Sequence, residues 1–257
     1  YITGTNGKTT TSRMLAHMAR AAGYTDGLTS SDGVMVGGEW HEKGDWTGPG
    51  AARMVLRQSE VELAVLETAR GGLMRRGLVL NGVDAAVVTN VSDDHLGRWG
   101  IRSTEDMATA KLTVGLGVKP GGALILNADC ELLINAYRHA QFRLNQVRQI
   151  FFSSSQSHGM TAWLADSKLW LRENGAPHAV VDVQDVPLLM GGAAVHNIEN
   201  ALAAMCAAQQ IGISKAHMAK ALRQMLPDVK NSRGRCNIFK LRGATVLIDF
   251  AHNPDGL

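Results

Sequence analysis

The stretch TGTNGKTTT at residues 3–11 contains the residues that most directly suggest chemistry. A glycine-rich turn that leads into a helix leaves several backbone N–H groups pointing in one direction. A lysine and a threonine at the end of such a turn can reach a phosphate and its Mg²⁺. Gly7, Lys8 and Thr9 occupy these positions and match the end of the common GxxxxGK[ST] pattern. We therefore predict a phosphate-binding loop followed by a helix.

The match is partial, and the same residues have a purely structural alternative. The first glycine of the pattern would fall on Ile2, and Gly4 stands closer to the lysine than the pattern requires. The alternative is a turn that precedes an amphipathic helix ending at Gly23. The apolar face of that helix would consist of Leu15, Met18, Ala19 and Ala22. We favour phosphate binding, because Gly-Lys-Thr at a helix start is a specific context.

The composition indicates a globular chain and argues against several functional classes. With 257 residues and 45% apolar side chains, the chain can form one large domain or two smaller ones. The formal net charge is only +3, and no basic run with interleaved aromatics stands out, so we expect no nucleic acid partner. No apolar stretch approaches the ~20 residues of a membrane span, and the first residues do not resemble a signal peptide. We therefore expect no membrane association.

The cysteines favour a reducing compartment. Cys130, Cys206 and Cys236 lie far apart without a CxxC pair, which fits neither a metal knuckle nor a disulfide framework. We therefore expect a cytoplasmic protein, and a homo-oligomer remains open. Because the chain opens inside a predicted strand at Tyr1, we also expect it to be a fragment of a longer protein.

Apolar runs alternate with helical stretches, which predicts an α/β fold with a parallel sheet. A region of short strands should follow, with Asp166 and Ser167 at the bend of a hairpin. The polar stretch at 228–234 reads as a hinge that precedes two further strands. In chain order we expect strands at 62–67, 84–90 and 122–127, a helix at 103–116 before the last of them, and helices at 196–211 and 214–226.

Polar residues close two of these predicted strands. Glu67 ends the first, and Asn90 ends the second, with His95 just beyond it. In open parallel sheets ligands bind beyond the carboxyl ends of the strands, so these side chains should face the same crevice as the phosphate loop. With Thr9 they describe an ATP–Mg²⁺ site, since Mg²⁺ favours oxygen ligands. The structural alternatives are a cap or surface acid for Glu67 and an ordinary loop histidine for His95, because imidazole is not a typical magnesium ligand.

Six ordered motifs together resemble the Mur ligase superfamily of ATP-dependent amide-bond ligases. The motifs are TGTNGKTT, ETARGGLMRRGL, NVSDDHLG, AVHNIENALAA, RGRCNIF and DFAHNPDGL. The strings ETARGG and GDWTGP are similar, more narrowly, to the Mur-ligase half of cyanophycin synthetases. The loop of this superfamily is typically GTxGKT, which removes the mismatch at the first glycine. The resemblance implies a central ATP-binding domain over 1–232 and the truncated start of a Rossmann-like C-terminal domain over 233–257.

The resemblance also implies roles for individual residues. Lys8 would hold the β- and γ-phosphates of ATP, Thr9 one Mg²⁺, and Glu67 with His95 a second metal ion. Further nucleotide contacts are implied for Gly4, Thr5, Asn6, Gly7, Thr10, Asn197, Asn200, Arg235 and Asp249. The structural alternative for Asn197 is a helix cap, and for Asp249 an acid that ends a strand.

The implied reaction joins a carboxylate to an amine through an acyl phosphate, as amide formation in water requires an activated carboxyl group. The substrates would be an amino acid, arginine in the narrower resemblance, and a carboxylate or peptide acceptor. Asp45, Thr47 and Arg53, in and after a Gly-Pro turn, are candidates for acceptor contacts, although a solvated turn is the alternative. One alternative is another Mur-type amino-acid ligase, of the peptidoglycan or polyglutamate type. The others are a P-loop switch, a small-molecule kinase and a nucleotide-binding module without ligase activity. An ATP-grasp half before Tyr1 is also implied.

Lys111 is a further candidate. A helix capped by Ser103 or Thr104 would place Met107, Ala110 and Val114 on an apolar stripe that Lys111 joins. Such a lysine either extends its amine to solvent or is held near the site. Mur ligases commonly carry a carbamylated lysine at this position, and the resemblance therefore implies a catalytic role for Lys111 beside the second metal ion.

Overall fold

The computed structural model describes residues 1–93, 97, 99–140, 144 and 147–253. The helices in chain order are α1 (Lys8–Ala21), α2 (Pro49–Leu56), α3 (Arg70–Arg76), α4 (Thr104–Leu112), α5 (Glu131–Ala140), α6 (Val195–Gln210), α7 (Lys215–Arg223) and α8 (Val229–Ser232). The strands are β1 (Ile2–Thr3), β2 (Asp26–Ser30), β3 (Gly33–Val36), β4 (Glu39–Lys43), β5 (Leu63–Leu66), β6 (Val83–Val88), β7 (Val118–Asn127), β8 (Arg148–Ser153), β9 (Ala162–Ala165), β10 (Lys168–Glu173), β11 (Ala176–Asp182), β12 (Asn237–Leu241) and β13 (Ala244–Ile248).

The main sheet has seven strands in the order β1-β6-β7-β8-β9-β10-β11. Pairing is parallel from β1 through β9 and antiparallel between β9, β10 and β11. The bend between β9 and β10 is formed by Asp166 and Ser167, both with positive φ of 48° and 56°, which is the backbone of a two-residue hairpin turn. The α/β fold and this hairpin confirm the expectations from the sequence.

A second sheet holds the apolar run that precedes Glu67. Its four strands run β4-β3-β2-β5, and only the β2–β5 pair is parallel. Ile2 and Glu67 form an isolated parallel bridge between this sheet and β1 of the main sheet. The carboxyl ends of β1 and β5 are thereby brought to the same edge.

Helices cover both faces of the main sheet. Helix α1 packs against α6 and α7 on one face, over a core that includes Met14, Ile125 and Phe152. Helices α4 and α5 pack together on the other face, over a core that includes Leu124 and Leu133. Within the described residues, no helix combines the length and apolar character that crossing a membrane requires.

The helix predicted at 103–116 begins after Ser103, as expected. Its α-helical part ends at Leu112, four residues before the predicted end. Ser103 accepts a hydrogen bond from the backbone N–H of Asp106, whose side chain accepts one from the Ser103 N–H, a capping box. After Leu112 the chain tightens into a 3-10 turn over Thr113–Gly117. The hinge at 228–234 contains the short helix α8, and β12 and β13 follow as an antiparallel hairpin. The domain boundary near 232 stays a prediction.

Candidate active site

The loop between β1 and α1 is held by Asn90, two residues after β6. The backbone N–H of Thr5 donates to the carbonyl of Asn90 at 3.0 Å, and that of Asn6 donates to the Asn90 side-chain oxygen at 2.8 Å. Gly7 precedes α1 with a φ of 82°, a left-handed conformation that favours glycine. A Cβ at Gly7 would also lie 2.1 Å from the side-chain oxygen of Asn200. Glycine is therefore required at this position for two independent reasons.

The Lys8 side chain lies across this loop. Its ammonium group donates to the carbonyl of Gly4 at 3.1 Å and to that of Thr5 at 2.7 Å. The positive charge of Lys8 therefore lies beside the turn that precedes α1. A helix N-terminus carries partial positive charge, so the lysine and the helix together favour an anion here.

Thr9 and Glu67 meet where the two sheets join. The Thr9 hydroxyl donates to Oε1 of Glu67 at 3.2 Å and lies 3.0 Å from the hydroxyl of Ser31. The backbone N–H of Ser31 donates to the other Glu67 oxygen at 3.3 Å. Glu67 is only 3% exposed, and this burial raises the pKa of its carboxyl group despite the nearby Lys8 charge. Thr9, Ser31 and Glu67 therefore place several oxygen atoms close together, near the positive charge of Lys8.

A buried ion pair adjoins this set. Arg13 of α1 contacts Asp32 at 2.8 Å, with side-chain exposures of 7% and 17%. The second guanidinium nitrogen donates to the backbone carbonyl of Asn231, in α8, at 3.3 Å. Burial lowers the pKa of Arg13, while the Asp32 carboxylate works to raise it. Arg13 therefore connects the first helix to the predicted hinge.

The loop opens into a cleft of about 340 Å³. The opposite wall comes from the start of α6 and from residues near β12 and β13. Among the residues implied by the resemblance, the cleft is lined by Thr5, Asn6, Gly7, Lys8, Thr9, Thr10, Asn197, Asn200, Arg235 and Asp249. The structure therefore brings residues from the two ends of the chain to one cavity.

Two asparagines in the cleft wall are already engaged with protein groups. The amide of Asn197 donates to the carbonyl of Leu188 at 3.1 Å, and the amide of Asn200 donates to Oδ1 of Asn197 at 3.2 Å. The hydroxyl of Thr11 donates to Oδ1 of Asn200 at 3.2 Å. The two side chains therefore have a structural role, because their hydrogen bonds join α6 to α1 beneath the loop.

At the far end of the cleft, Asp249 accepts a hydrogen bond from the backbone N–H of Cys236 at 2.7 Å. The guanidinium of Arg235 lies 4.7 Å from the centre of the Phe250 ring, a cation–π contact. The thiol of Cys236 lies 3.4 Å from Nε2 of His196, and burial together with the Asp249 charge raises the pKa of this thiol to about 11. The cysteine is therefore a neutral packing group at neutral pH.

The sequence reasoning missed a polar cluster at the ends of β7 and β8. Asp129 accepts hydrogen bonds from the Ser153 hydroxyl and the Ser154 backbone N–H, each at 2.6 Å. Burial works to raise the pKa of Asp129, but these serine bonds outweigh it and hold the pKa below its ordinary value. Burial, and then Asp129, raises the pKa of the neighbouring Glu199, to which Asn127 donates at 3.2 Å. The strand-end rule applied to Glu67 would also have found Asn127 and Asp129.

The remaining sequence candidates are not among the described residues that line the cleft. His95 falls outside the described residues. Lys111 is 3% exposed in α4 and is not among the described residues that line the cleft. Asp45 is exposed and accepts a hydrogen bond from the Thr47 hydroxyl at 2.8 Å, while the carbonyl of Thr47 accepts from the N–H of Ala69, two residues after Glu67. The predicted acceptor loop therefore contacts the segment that follows β5.

Comparisons of the sequence with known proteins give consistent results. The chain is 39% identical over 260 residues to the cyanophycin synthetase of Geminocystis herdmanii, covering 99% of the chain and 30% of that protein. It is 29% identical over 233 residues to the UDP-N-acetylmuramoylalanine–D-glutamate ligase of Acidobacterium capsulatum, covering 89% of the chain and 43% of that enzyme. The chain thus spans about 30% of the length of the cyanophycin synthetase that it matches.

Solved structures show the same fold. A UDP-N-acetylmuramoyl-L-alanyl-D-glutamate–2,6-diaminopimelate ligase superposes with a TM-score of 0.73 at 23% identity, covering 99% of this chain and 51% of that one. FolC of E. coli in complex with DHPP and ADP superposes with a TM-score of 0.72 at 20% identity, covering 99% and 62%. The model of the Mur ligase middle domain matches residues 2–208. The chain therefore belongs to the Mur ligase middle domain family.

Proposed function

We propose that this chain is the ATP-binding part of an ADP-forming carboxylate–amine ligase. The observation that carries the proposal is the position of Lys8 and the Thr9–Glu67 pair at one end of the cleft. The likeness to cyanophycin synthetases and to the D-glutamate ligase supports the same reaction class. ATP would lie with its phosphates on the loop and its nucleoside toward α6, Arg235 and Asp249.

The proposed reaction proceeds in two steps. An oxygen of the acceptor carboxylate attacks the γ-phosphorus of ATP, the bond from this phosphorus to the β,γ-bridging oxygen breaks, and ADP and an acyl phosphate form. The nitrogen of the amino acid then attacks the acyl carbon, the C–O bond to phosphate breaks, and the nitrogen loses a proton. Lys8 and the backbone N–H groups of the loop stabilise the charge on the transferred phosphoryl group.

The oxygen donors near Thr9 fit a hard divalent cation, and we propose Mg²⁺. The described residues contain no cluster of three or more His, Cys, Asp or Glu side chains suited to a metal ion. Mg²⁺ does not need such a cluster, because it is usually bound by one or two carboxylates together with phosphate oxygens and water. Thr9 would hold one such cation, and Glu67 with His95 would hold a second. When bound, the cation would neutralise phosphate charge.

Residues beyond the nucleotide site are proposed for the other substrates. An amino acid, arginine by the likeness to cyanophycin synthetases, would supply the amine. An acidic peptide or other carboxylate would enter beside the loop of Asp45 and Thr47, which contacts Ala69. Lys111, as a carbamate, would provide an anion toward the second metal ion. We further propose a cytoplasmic protein, as Cys130, Cys206 and Cys236 are free thiols.

A phosphate-release screen tests the proposal. The complete protein would be incubated with ATP, Mg²⁺, single amino acids and acidic peptides, and inorganic phosphate would be measured. We expect release only when an amine and a carboxylate acceptor are both present, with arginine and an aspartate-rich peptide as the best pair. ATP hydrolysis that is independent of both substrates would favour a nucleotide-binding module without ligase activity.

A further inference from the structure

We propose that Asn253 is a positioning residue, which holds the phosphate loop against the segment after the hinge through a reciprocal amide pair with Asn6. The Asn6 amide donates to Oδ1 of Asn253 at 3.0 Å, and the Asn253 amide donates to Oδ1 of Asn6 at 3.1 Å. These residues are 247 positions apart. The inference rests on the proposed function in one respect, namely that the loop binds ATP.

The Asn6 side of the pair is fixed by the two residues that follow β6, Thr89 and Asn90. Its backbone N–H donates to the side chain of Asn90 at 2.8 Å, and its backbone carbonyl accepts from the hydroxyl of Thr89 at 2.6 Å. Both backbone groups of Asn6 are therefore used, which leaves its carboxamide as the group that projects from the loop. The direction of that carboxamide is set by the main sheet.

The Asn253 side is fixed by the segment that follows the hinge. Asn253 is 7% exposed. The backbone N–H of Phe250 donates to the carbonyl of Gly234 at 2.9 Å, which ties the approach to Asn253 to the segment just after α8. Asp249, on the same stretch, lines the cleft. The position of Asn253 is therefore linked to the position of the cleft wall that contains Asp249.

The chemistry of the pair suits a contact that closes and opens. A carboxamide contains one acceptor and a two-hydrogen donor, so two facing carboxamides satisfy each other without any charge. Hydrogen bonds between neutral groups contribute little net stability, because water replaces them when they break. The Cys236–His196 contact at 3.4 Å also bridges the cleft, but a thiol is a weak donor. The amide pair is thus the more specific link between loop and wall.

Hydrogen exchange of the protein without nucleotide tests the link directly. Asn253→Leu keeps the branch at Cγ and removes both hydrogen bonds, and Asn6→Ala removes the partner. We expect each variant to exchange its amides over residues 236–250 about tenfold faster than the parent, the effect of losing roughly one net hydrogen bond. The double variant should exchange no faster than the faster single variant, because either change alone breaks the same pair.

The matched control is Asn135→Leu, which makes the same substitution at an exposed position of α5. It should leave exchange over 236–250 unchanged. Parent-like exchange in Asn253→Leu, or effects that simply add in the double variant, would overturn the proposal. Melting curves of each variant check that the fold is retained.

A kinetic measurement separates a positioning role from a structural one. In the full ligase, Asn253→Leu should raise the KM for ATP about tenfold and change kcat much less, since it loosens a wall of the nucleotide cleft. An equal loss in kcat with unchanged KM contradicts the proposal. If no variant or parent protein forms ADP but exchange still follows the pattern above, the amide pair stands and the ligase assignment fails.

Discussion

The hydroxyl of Thr9 and the carboxylate of Glu67 lie 3.2 Å apart, although 58 positions separate them in the sequence. Thr9 belongs to α1, which follows β1 of the main sheet, and Glu67 follows β5 of the four-stranded sheet. Glu67 is buried, and its burial disfavours the charged form. A carboxylate kept in such a place costs stability until a cation binds to it.

The first prediction is that Glu67→Gln stabilises the protein in the absence of divalent cations. The raised pKa of Glu67 means that its stability contribution is fully present below the ordinary value of 4.5 and is lost as the pH rises through the folded-state pKa. The neutral amide avoids that loss and can still bond Thr9 and Ser31. Thermal melts should show a higher Tm for the variant at neutral pH and no difference at pH below 4.5.

The same variant should lose the response to Mg²⁺. The parent Tm should rise when Mg²⁺ and ATP are added together, whereas the variant should show little change. Glu60→Gln, at an exposed position, is the matched control and should behave as the parent in both experiments. A variant that melts below the parent at neutral pH without metal would contradict the argument.

The second prediction concerns Lys8. Lys8→Ala should lower acceptor-dependent ADP formation by roughly 100-fold or more, since it removes the charge that is proposed to face the phosphates. Circular dichroism should show an unchanged fold. Lys220→Ala, at an exposed position of α7, should keep full activity. Full activity in Lys8→Ala would remove the main support for the nucleotide site.

The third prediction concerns Gly7. An alanine there would adopt a strained φ of 82° and place its Cβ 2.1 Å from Asn200 Oδ1, so Gly7→Ala should destabilise the protein by about 2 kcal/mol or more. Urea unfolding measures this loss. Gly50→Ala in α2 meets no atom within 4 Å, and it should be neutral or slightly stabilising. Equal stability of the two variants would count against a constrained loop.

The fourth prediction concerns Lys111, which is buried at the end of α4. If a carbamate forms there, Lys111→Ala should lose most activity, and short-chain carboxylic acids should partly restore it by occupying the vacated anion position. A melting curve shows whether the variant is folded. Wild-type turnover in the variant would leave Lys111 as a structural lysine of this helix.

The fifth prediction concerns the loop before α2. Asp45→Ala in this loop and Arg53→Ala in the following helix α2 should raise the KM for the acceptor more than the KM for ATP, because the loop contacts the segment after Glu67 and neither residue lines the cleft beside Lys8. Steady-state kinetics with each substrate varied in turn separate the two constants. An unchanged acceptor KM would indicate a solvated turn.

Local signals in the sequence predicted many of the elements. The helix after Gly7, the capped helix after Ser103 and the hairpin at Asp166 depend on residues a few positions apart, and the structure confirms them. The strand before Glu67 was also predicted, but its place in a separate four-stranded sheet was not. The sheet that a strand joins is decided by pairing with residues distant in the sequence, and the periodicity of one strand contains no information about that pairing.

The candidate site was likewise predictable where the signal is local and not where it depends on distant contacts. The strand-end rule identified Glu67 and Asn90, and both lie next to the loop and helix start at residues 4–9. The contacts of Ser31, and the Asn6–Asn253 pair, could not be predicted, because each depends on how two separate elements dock. Amide and hydroxyl side chains are also common in surface loops, so their presence alone carries no such signal.

The isolated bridge between Ile2 and Glu67 has a consequence for the order of folding. Each sheet can form from its own strands, but the Thr9–Glu67 contact exists only after the two sheets dock at this bridge. Contacts between distant elements form slowly, since their ends must first be brought together. We therefore expect a newly made chain to acquire secondary structure before Thr9 and Glu67 can hold the proposed cations, so that binding of these cations would report the docking of the two sheets.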